Sequence, residues 1–524
     1  MTNFLKSNLF FLILLTAVLF CLYGKTLNFG FTYGDDTSLI LEKAELLSDI
    51  RNAPVLFTTS CYYSKNFTYY RPLLNLSFMA ETLVFGINTH IYHATNIILF
   101  ILSLYLMYLF SAKILKARLN DTTNTVLKCL FLLTAVHPLF TSAVAWIPAR
   151  NDTLLAVFMY ASFIFFVAWL ENKKTKNLIL YFLFFVSALF TKESSILTVF
   201  LYALLVWCFN YKITKREITT NILIFVPITV IYLYLRHLAV AGGNLFSYVT
   251  NFGEVCKNMI AGSAIYLYQF IVPDIHVMLY DVKFGIIHFV ILSCIFLFVC
   301  FGIYKNFINK KIFFWCISLF VLLVFPTCFL DDYIILNHRL VTVIPAIIIP
   351  LALMVENIHA LKRAKFFTVF VFVFFFINFS GISFSFTDNF RDKNIYWYQS
   401  YVDAPNCHAT CYWMGRLFFE NGDFDKARKF LIKANDLKMI YLSDLALIYY
   451  FEGDLNKAEE LYKQSVIMNI NKAQCYRNLS TIYYRSKDFD KALKYAEMAI
   501  NEEPLEAEYV KYYQALLNEQ NKNI

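Results

Sequence analysis

The sequence predicts an all-α protein in two parts, a polytopic helical membrane domain followed by a helical solenoid. Three observations predict it. The 524 residues are 59% hydrophobic and 16% charged, with a mean hydropathy of +0.55, more apolar side chain than a soluble body can hide. Gly and Pro are scarce, at 14 and 11, which suits long helices and opposes a barrel of many short strands. One six-residue phrase recurs near the C-terminus at the spacing of a helical-hairpin repeat.

Apolar runs able to cross about 30 Å of hydrocarbon are read at 8–24, 92–112, 127–144, 152–170, 177–191, 194–209, 219–237, 284–304, 312–330, 341–358 and 366–386, eleven in all. The first follows Lys6 and resembles a signal peptide. "CLYGKTLNFG" offers no small-x-small cleavage site, so this run is read as an uncleaved span. Basic residues then fall in every second connector: Lys113, Lys116 and Arg118; Lys173, Lys174 and Lys176; Lys212, Lys215 and Arg216; Lys305, Lys310 and Lys311; Lys362, Arg363 and Lys365. With Lys6 they assign that side to the cytoplasm. The formal charge of +9 is therefore a mark of orientation rather than of nucleic-acid binding. The long connectors 25–91 and 238–283 lie opposite, and an odd number of spans carries everything after Phe386 to their side.

Beyond residue 386, "GDFDKA" (422–427), "GDLNKA" (453–458) and "KDFDKA" (487–492) place Ala427, Ala458 and Ala492 31 and 34 residues apart. That is the tetratricopeptide period, with a small residue where the two helices of a repeat cross. The domain reading is 1–386 membrane domain, 387–405 linker, and 406–524 about three repeats. Stacked pairs leave a groove for a peptide or protein partner, a plain helical spacer being the alternative. Of 12 cysteines, Cys407 and Cys411 flank His408. A lone C-x-x-x-C reads first as unpaired thiols, with a bridge or part of a metal site as alternatives.

The connectors opposite the basic ones hold most of the remaining polar residues. They carry the doubled acid Asp35–Asp36 in "FGFTYGDDTSLI", then "YYRPLLNLSFMAETLVFGINTHIYHATNIILF", "AVHPLFTSAVAWIPARNDTLLAVF", "ALFTKESSILTV", "YLYLR" and "LDDYIILNHRL". Singly, each has a bland reading. The acid pair reads as a solvated loop, Arg71 as a headgroup anchor, Lys192–Glu193 as a local ion pair, and His137–Pro138 as a helix end. Clustered charges at headgroup depth cost free energy unless paired or used.

Taken together in this order, those stretches and the repeats resemble the GT-C superfamily of glycosyltransferases. The similarity is greatest to the transmembrane and tetratricopeptide-repeat O-mannosyltransferases and their bacterial relatives. The resemblance implies a GT-C-like membrane domain that moves a sugar from a polyprenyl-phosphate donor to an extracytoplasmic protein hydroxyl or surface glycan. It maps the first-loop acidic motif onto Asp35 and Asp36, with Asp35 as base and Asp36 as support. Arg150 and Asp152 match the family's R-x-D, with Asp152 near the acceptor or orienting a cation. Arg71, Arg150, Lys192, Arg236 and Arg339 become donor-phosphate ligands, and Tyr70, His93, His137 and Glu193 the acceptor region. Arg339 departs from the pattern, because His338 stands where relatives tend to carry an acid. Asp331 and Asp332 read as a solvated second pair; no cofactor is assigned, and a divalent cation is left open, no full set of oxygen ligands being present.

Physical chemistry fits the implied reaction. A carboxylate can take the acceptor hydroxyl's proton, and fixed cations stabilise a departing phosphate. Burial and a like-charged neighbour raise one of two adjacent carboxylates. The competing class is a non-enzymatic membrane scaffold that displays the repeats. A lipid-pyrophosphate polymerase or ligase is disfavoured because the long loops come early and in the middle, and a transporter because mid-span charges are few. The expected setting is a bacterial inner membrane with site and repeats on the periplasmic face, and the expected partners are the lipid donor, the acceptor and membrane lipid.

Overall fold

The computed structural model describes residues 7–63, 69–116, 119–240, 252–278, 286–326, 336–359, 365–503 and 507–523. They form two compact units, Met1–Tyr396 and Trp397–Ile524, with helices and no strand among the described residues.

The first unit contains α1 (Asn8–Tyr23), α2 (Pro72–Phe85), α3 (Thr89–Ile114), α4 (Asp121–Ala135), α5 (Arg150–Asn172), α6 (Thr175–Thr191), α7 (Thr198–Cys208), α8 (Lys215–Ala239), α9 (Phe252–Ile271), α10 (Ile286–Tyr304), α11 (Lys310–Val324), α12 (Ile344–His359) and α13 (Lys365–Phe386). Several starts are written in side-chain caps. Ser7, Asn88, Asn120 and Thr214 accept from the backbone N–H of Phe10, His90, Thr123 and Glu217, satisfying donors the first turn cannot use.

Among the described residues, seven helices are long and apolar enough to cross a membrane: Asn8–Asn28, Thr89–Ile114, Ile147–Asn172, Lys215–Ala239, Ile286–Tyr304, Asn337–Ile358 and Phe366–Phe390. The expected eleven spans are not confirmed, and the bent pair below would make eight if it is one span. The run at 127–144 is bent by 58° between Asp121–Ala135 and Pro138–Ala145, where Pro138 cannot continue the preceding helix. The runs at 177–191 and 194–209 form the shorter helices Thr175–Thr191 and Glu193–Cys208. The run at 312–330 gives α11 and then passes outside the described residues.

An aromatic core holds the inner helices together. Phe110, Tyr160, Phe163, Tyr202 and Trp315 pack ring against ring across α3, α5, α7 and α11. Their polar tips are satisfied inside it: Tyr160 donates to the Thr342 carbonyl at 2.7 Å, and the Ser162 and Tyr202 hydroxyls lie 2.6 Å apart. Unpaired, each would cost free energy in so dry a place. By contrast, only 11%, 6% and 11% of the apolar windows on α8, α10 and α13 are buried, leaving those helices to face lipid.

Four of the basic connectors meet at one end of the bundle, Lys173 also donating to the Lys212 carbonyl. Lys113 pairs with Glu171 at 2.6 Å and Lys173 with Glu217 at 2.9 Å, while Lys311 donates to Asn210 at 2.8 Å. Lys6, Arg118, Lys362, Arg363 and the side chain of Lys365 lie outside the described residues, as does the pair Asp331–Asp332.

The stretch expected as a linker is instead largely helical: a 3-10 turn at Thr387–Phe390 precedes α14 (Lys393–Asp403). The second unit continues as α15 (His408–Glu420) with α16 (Phe424–Leu437), α17 (Leu442–Glu452) with α18 (Leu455–Ile467), α19 (Lys472–Arg485) with α20 (Phe489–Glu502), and then α21 (Ala507–Asn523). Three positions of the repeated phrase have a clear job. Gly422 and Gly453 hold φ of +77° and +89°, the left-handed turn that ends the first helix of a pair. Asp423, Asp454 and Asp488 cap the second helix, accepting from Lys426, Lys457 and Lys491 N–H. Ala427, Ala458 and Ala492 are fully buried at the crossing. Cys407 and Cys411 are buried and unbridged. In the third copy Lys487 occupies the turn at φ +62°, a conformation costly for a residue with a Cβ. Lys487→Gly should therefore stabilise the third pair by about 1 kcal/mol, read as slower hydrogen exchange over residues 489–502; faster exchange there would contradict this account of the phrase.

Candidate active site

α5 and α6 form an antiparallel hairpin, so the start of one and the end of the other share one end of the bundle. There Lys192 Nζ lies 2.7 Å from Asp152 Oδ1, the lysine half-buried and the aspartate buried. Glu193, the next residue, turns elsewhere. Its Oε1 accepts the Tyr70 backbone N–H at 2.5 Å, and its Oε2 meets Arg71 Nε at 3.2 Å. Lys192 and Glu193 are thus divided between separate partners rather than paired with each other. Arg71 precedes Pro72, the first residue of α2, and its guanidinium covers the Tyr69 ring at 4.5 Å.

The loop between α1 and α2 is not a solvated tether. Leu39, Ile40, Leu47, Leu56 and Cys61 pack on Leu74, Phe78 and Met79 of α2, Tyr92 of α3 and Ile147. This second core carries the acid pair into the protein. Asp36 is 0% exposed, and its Oδ2 accepts the Thr32 backbone N–H at 2.6 Å and the Thr32 hydroxyl at 2.7 Å. Asp35 is half-buried. It accepts from the Tyr62 hydroxyl and lies within electrostatic reach of Arg71 and Arg339. Burial lifts the Asp35 carboxyl above the usual range, with Tyr62, Arg71 and Arg339 opposing. Burial pushes Asp36 up to about 6, against the two Thr32 bonds and with the Asp35 charge adding to it.

The remaining cations join from other helices. Arg339, on the 3-10 turn Asn337–Val343, is in reach of Asp35, Lys192 and His338. Arg236 is buried in the last turn of α8 and shares the neighbourhood of Tyr232 with Glu193 and Arg71. One end of the bundle therefore brings together Asp35, Asp36, Asp152, Arg71, Lys192, Glu193, Arg236 and Arg339.

Three expected members stand outside this group. Arg150 is fully buried and committed to the protein. Its Nε donates to Asn96 Oδ1 at 2.9 Å, its Nη1 to Glu81 Oε2 at 2.6 Å and Ser77 Oγ at 3.3 Å, and its Nη2 to the Tyr92 carbonyl at 2.9 Å. With Phe78 covering its face at 4.4 Å, it clamps α2, α3 and α5 instead of offering its charge to a phosphate. His93 lies behind that clamp, edge-on to Phe29 at 6.1 Å. His137 serves the bend: its Nδ1 accepts the Leu139 N–H at 3.2 Å, and its ring packs on Phe270 and Phe379. Tyr70 touches the group through its backbone, while its hydroxyl donates to the Phe57 carbonyl at 2.9 Å.

Other residues enter that sequence reasoning did not select. His338 faces Asp152, Nε2 to Oδ2 at 3.8 Å, and packs against Trp146 at 5.3 Å. Tyr396 stacks on Trp146 at 6.2 Å and lies in reach of both Asp35 and Asp36. The Trp146 indole donates to the Thr32 hydroxyl at 3.1 Å. Trp146 was visible only as an aromatic inside a quoted stretch, and nothing local marks its partner 114 residues away. Among the described residues, no group of three His, Cys, Asp or Glu is placed to hold a metal ion.

The clamp makes a sharp prediction. Arg150→Met leaves Glu81 buried without its cation, a loss of about 3–5 kcal/mol. Adding Glu81→Leu should recover much of it, measured as the thermal midpoint in detergent. A double variant as unstable as the single one would refute the pairing.

Comparison with known proteins agrees with the repeats. Residues 408–438 and 438–501 match tetratricopeptide repeat families. Over 185 residues, 34% of this chain and 21% of the relative, the sequence is 30% identical to "Protein O-mannosyl-transferase Tmtc1" of Drosophila melanogaster. Over 156 residues, 29% of this chain and 18% of the relative, it is 31% identical to "Protein O-mannosyl-transferase TMTC2" of Mus musculus. The matched region spans about a fifth of the length of each of these relatives. The chain is thus similar to tetratricopeptide-repeat-containing O-mannosyltransferases.

Proposed function

We propose that the protein is a membrane glycosyltransferase that moves one sugar from a polyprenyl-phosphate donor to a hydroxyl of a protein or surface glycan. The observation that carries the reading is the half-buried Asp35 within electrostatic reach of Arg71 and Arg339, at the end of the bundle away from the basic connectors. A leaving phosphate needs cations at that level, and an attacking hydroxyl needs an acceptor for its proton. In this reading the acceptor oxygen forms a bond to the anomeric carbon as the carbon–phosphate oxygen bond breaks, with inversion. Asp35 takes the hydroxyl proton, and the electron pair leaves with the phosphate. Asp36 supports Asp35. Asp152 is held by Lys192, so this pair presents an orienting dipole, with Lys192, Arg71, Arg236 and Arg339 drawing the phosphate.

The pattern of basic connectors supports an orientation with this end outside the cytoplasm, on the periplasmic face if the membrane is a bacterial inner one, and the repeats would present the acceptor or a partner protein. A pure scaffold would have no use for a carboxylate couplet carried into the protein beside cations.

The reading is tested by transfer of radiolabelled sugar from several polyprenyl phosphates in native membranes. Asp35→Asn should lower kcat by about 10²–10⁴-fold and change donor affinity little. Because the couplet works ionised, activity should fall as pH drops through about 6, the value to which Asp36 is raised. Full activity in Asp35→Asn would sink the assignment of the base.

A further inference from the structure

We infer that Thr32 and Trp146 are positioning residues for the acidic couplet, forming a buried strut that ties Asp36 to the segment leading into α5. The donor count fixes its polarity. An indole N–H can only donate, so at the 3.1 Å contact Thr32 Oγ1 is the acceptor. The single hydroxyl proton of Thr32 is then left to point at Asp36 Oδ2, 2.7 Å away, beside the backbone N–H at 2.6 Å. Thr32 is 3% exposed, Trp146 9% and Asp36 0%, so water does not compete for these bonds.

Trp146 is itself held firmly. The Asn96 side-chain amide spans the carbonyls of Val144, Trp146 and Ile147 at 3.5, 3.2 and 3.4 Å, and the other end of Asn96 accepts from Arg150. The indole also packs on His338, which faces Asp152. One ring therefore references both acidic positions, Asp36 through Thr32 and Asp152 through His338. Among the described residues, the charged and titratable groups facing Asp36 are Asp35 and Tyr396, and those facing Asp35 are Asp36, Tyr62, Arg71, Arg339, Tyr396 and Cys61. None of them replaces the Thr32 hydroxyl.

The kinetic consequence rests on the transferase reading; the structural one does not. The full chain is compared as Thr32→Val, Thr32→Ser and Trp146→Phe. A hydrogen bond to the charged form holds a carboxylate down, so its loss should move the acid limb of the transfer activity up by about one pH unit. The shift is expected in Thr32→Val, smaller in Trp146→Phe, and absent in Thr32→Ser, with the KM for donor unchanged. An acid limb in both Thr32→Val and Trp146→Phe that superimposes on the native one overturns the inference, whatever the absolute rate. The second readout is the thermal midpoint against pH in detergent. Asp36 binds its proton more tightly folded than unfolded, so it makes stability fall as pH rises from its ordinary range toward about 6. Thr32→Val should extend that fall to higher pH, and a curve parallel to the native one overturns the inference. Were the native chain to transfer no sugar, the proposed function would fail while this second readout still decided the strut; were Thr32→Val not to fold, Trp146→Phe decides by the same two measurements.

Discussion

In the apolar body of the first unit, Arg150 carries a charge with no water to receive it, and four protein groups close around it instead. Those groups come from α2 and α3, whereas Arg150 belongs to α5. The arrangement at that end of the bundle follows from this union. α2 starts with Arg71, α5 starts two residues before Asp152, and the clamp fixes the separation between them. The ion pair with Glu81 adds little net stability, since desolvating both charges costs about what their attraction returns. Its contribution is to make one arrangement of three helices far better than any other. An apolar contact, which tolerates sliding, would define that arrangement less sharply.

The second structural device is the loop core. A connector of this length between two spans would ordinarily lie in water, where backbone groups are easily satisfied. Here its leucines and isoleucine pack against α2 and α3, and burial follows for the aspartates. The consequence is electrostatic. Two adjacent carboxylates are carried to a place where ionisation is expensive, and the nearby Arg71, Arg339, Tyr62 and Thr32 each return part of that expense. A couplet in open solvent would keep ordinary acidity and no fixed direction.

Much of this was legible in the residues. The repeated phrase foretold the second unit, because capping aspartate, turn glycine and crossing alanine are local requirements that leave a local trace. The alternation of basic connectors foretold that charged residues such as Arg71, Lys192 and Arg339 would share an end, since chain direction alone sorts them. What was not legible depended on distant partners. Arg150 looked like a phosphate ligand because its motif is silent about Glu81, 69 residues earlier. His338 looked like a departure, and only its position beside Asp152 gives it a place. The count of spans is left unconfirmed for another reason. Hydropathy registers how apolar a run is, and is blind to a proline bend at Pro138 or to the short length of the helices Thr175–Thr191 and Glu193–Cys208 on either side of Lys192.

That short length has a mechanical consequence for the surrounding bilayer. α6 holds 17 residues, which at 1.5 Å each make about 25 Å, several ångströms less than a typical hydrocarbon slab of about 30 Å. Where α6 faces lipid, a leaflet beside a helix this short would compress to meet its polar terminus, and the plane of headgroups would dip locally around Lys192. The elastic strain of that dimple grows with acyl-chain length, which makes membrane thickness a physical variable acting directly on the depth at which Asp152, Lys192 and Arg71 meet the interface.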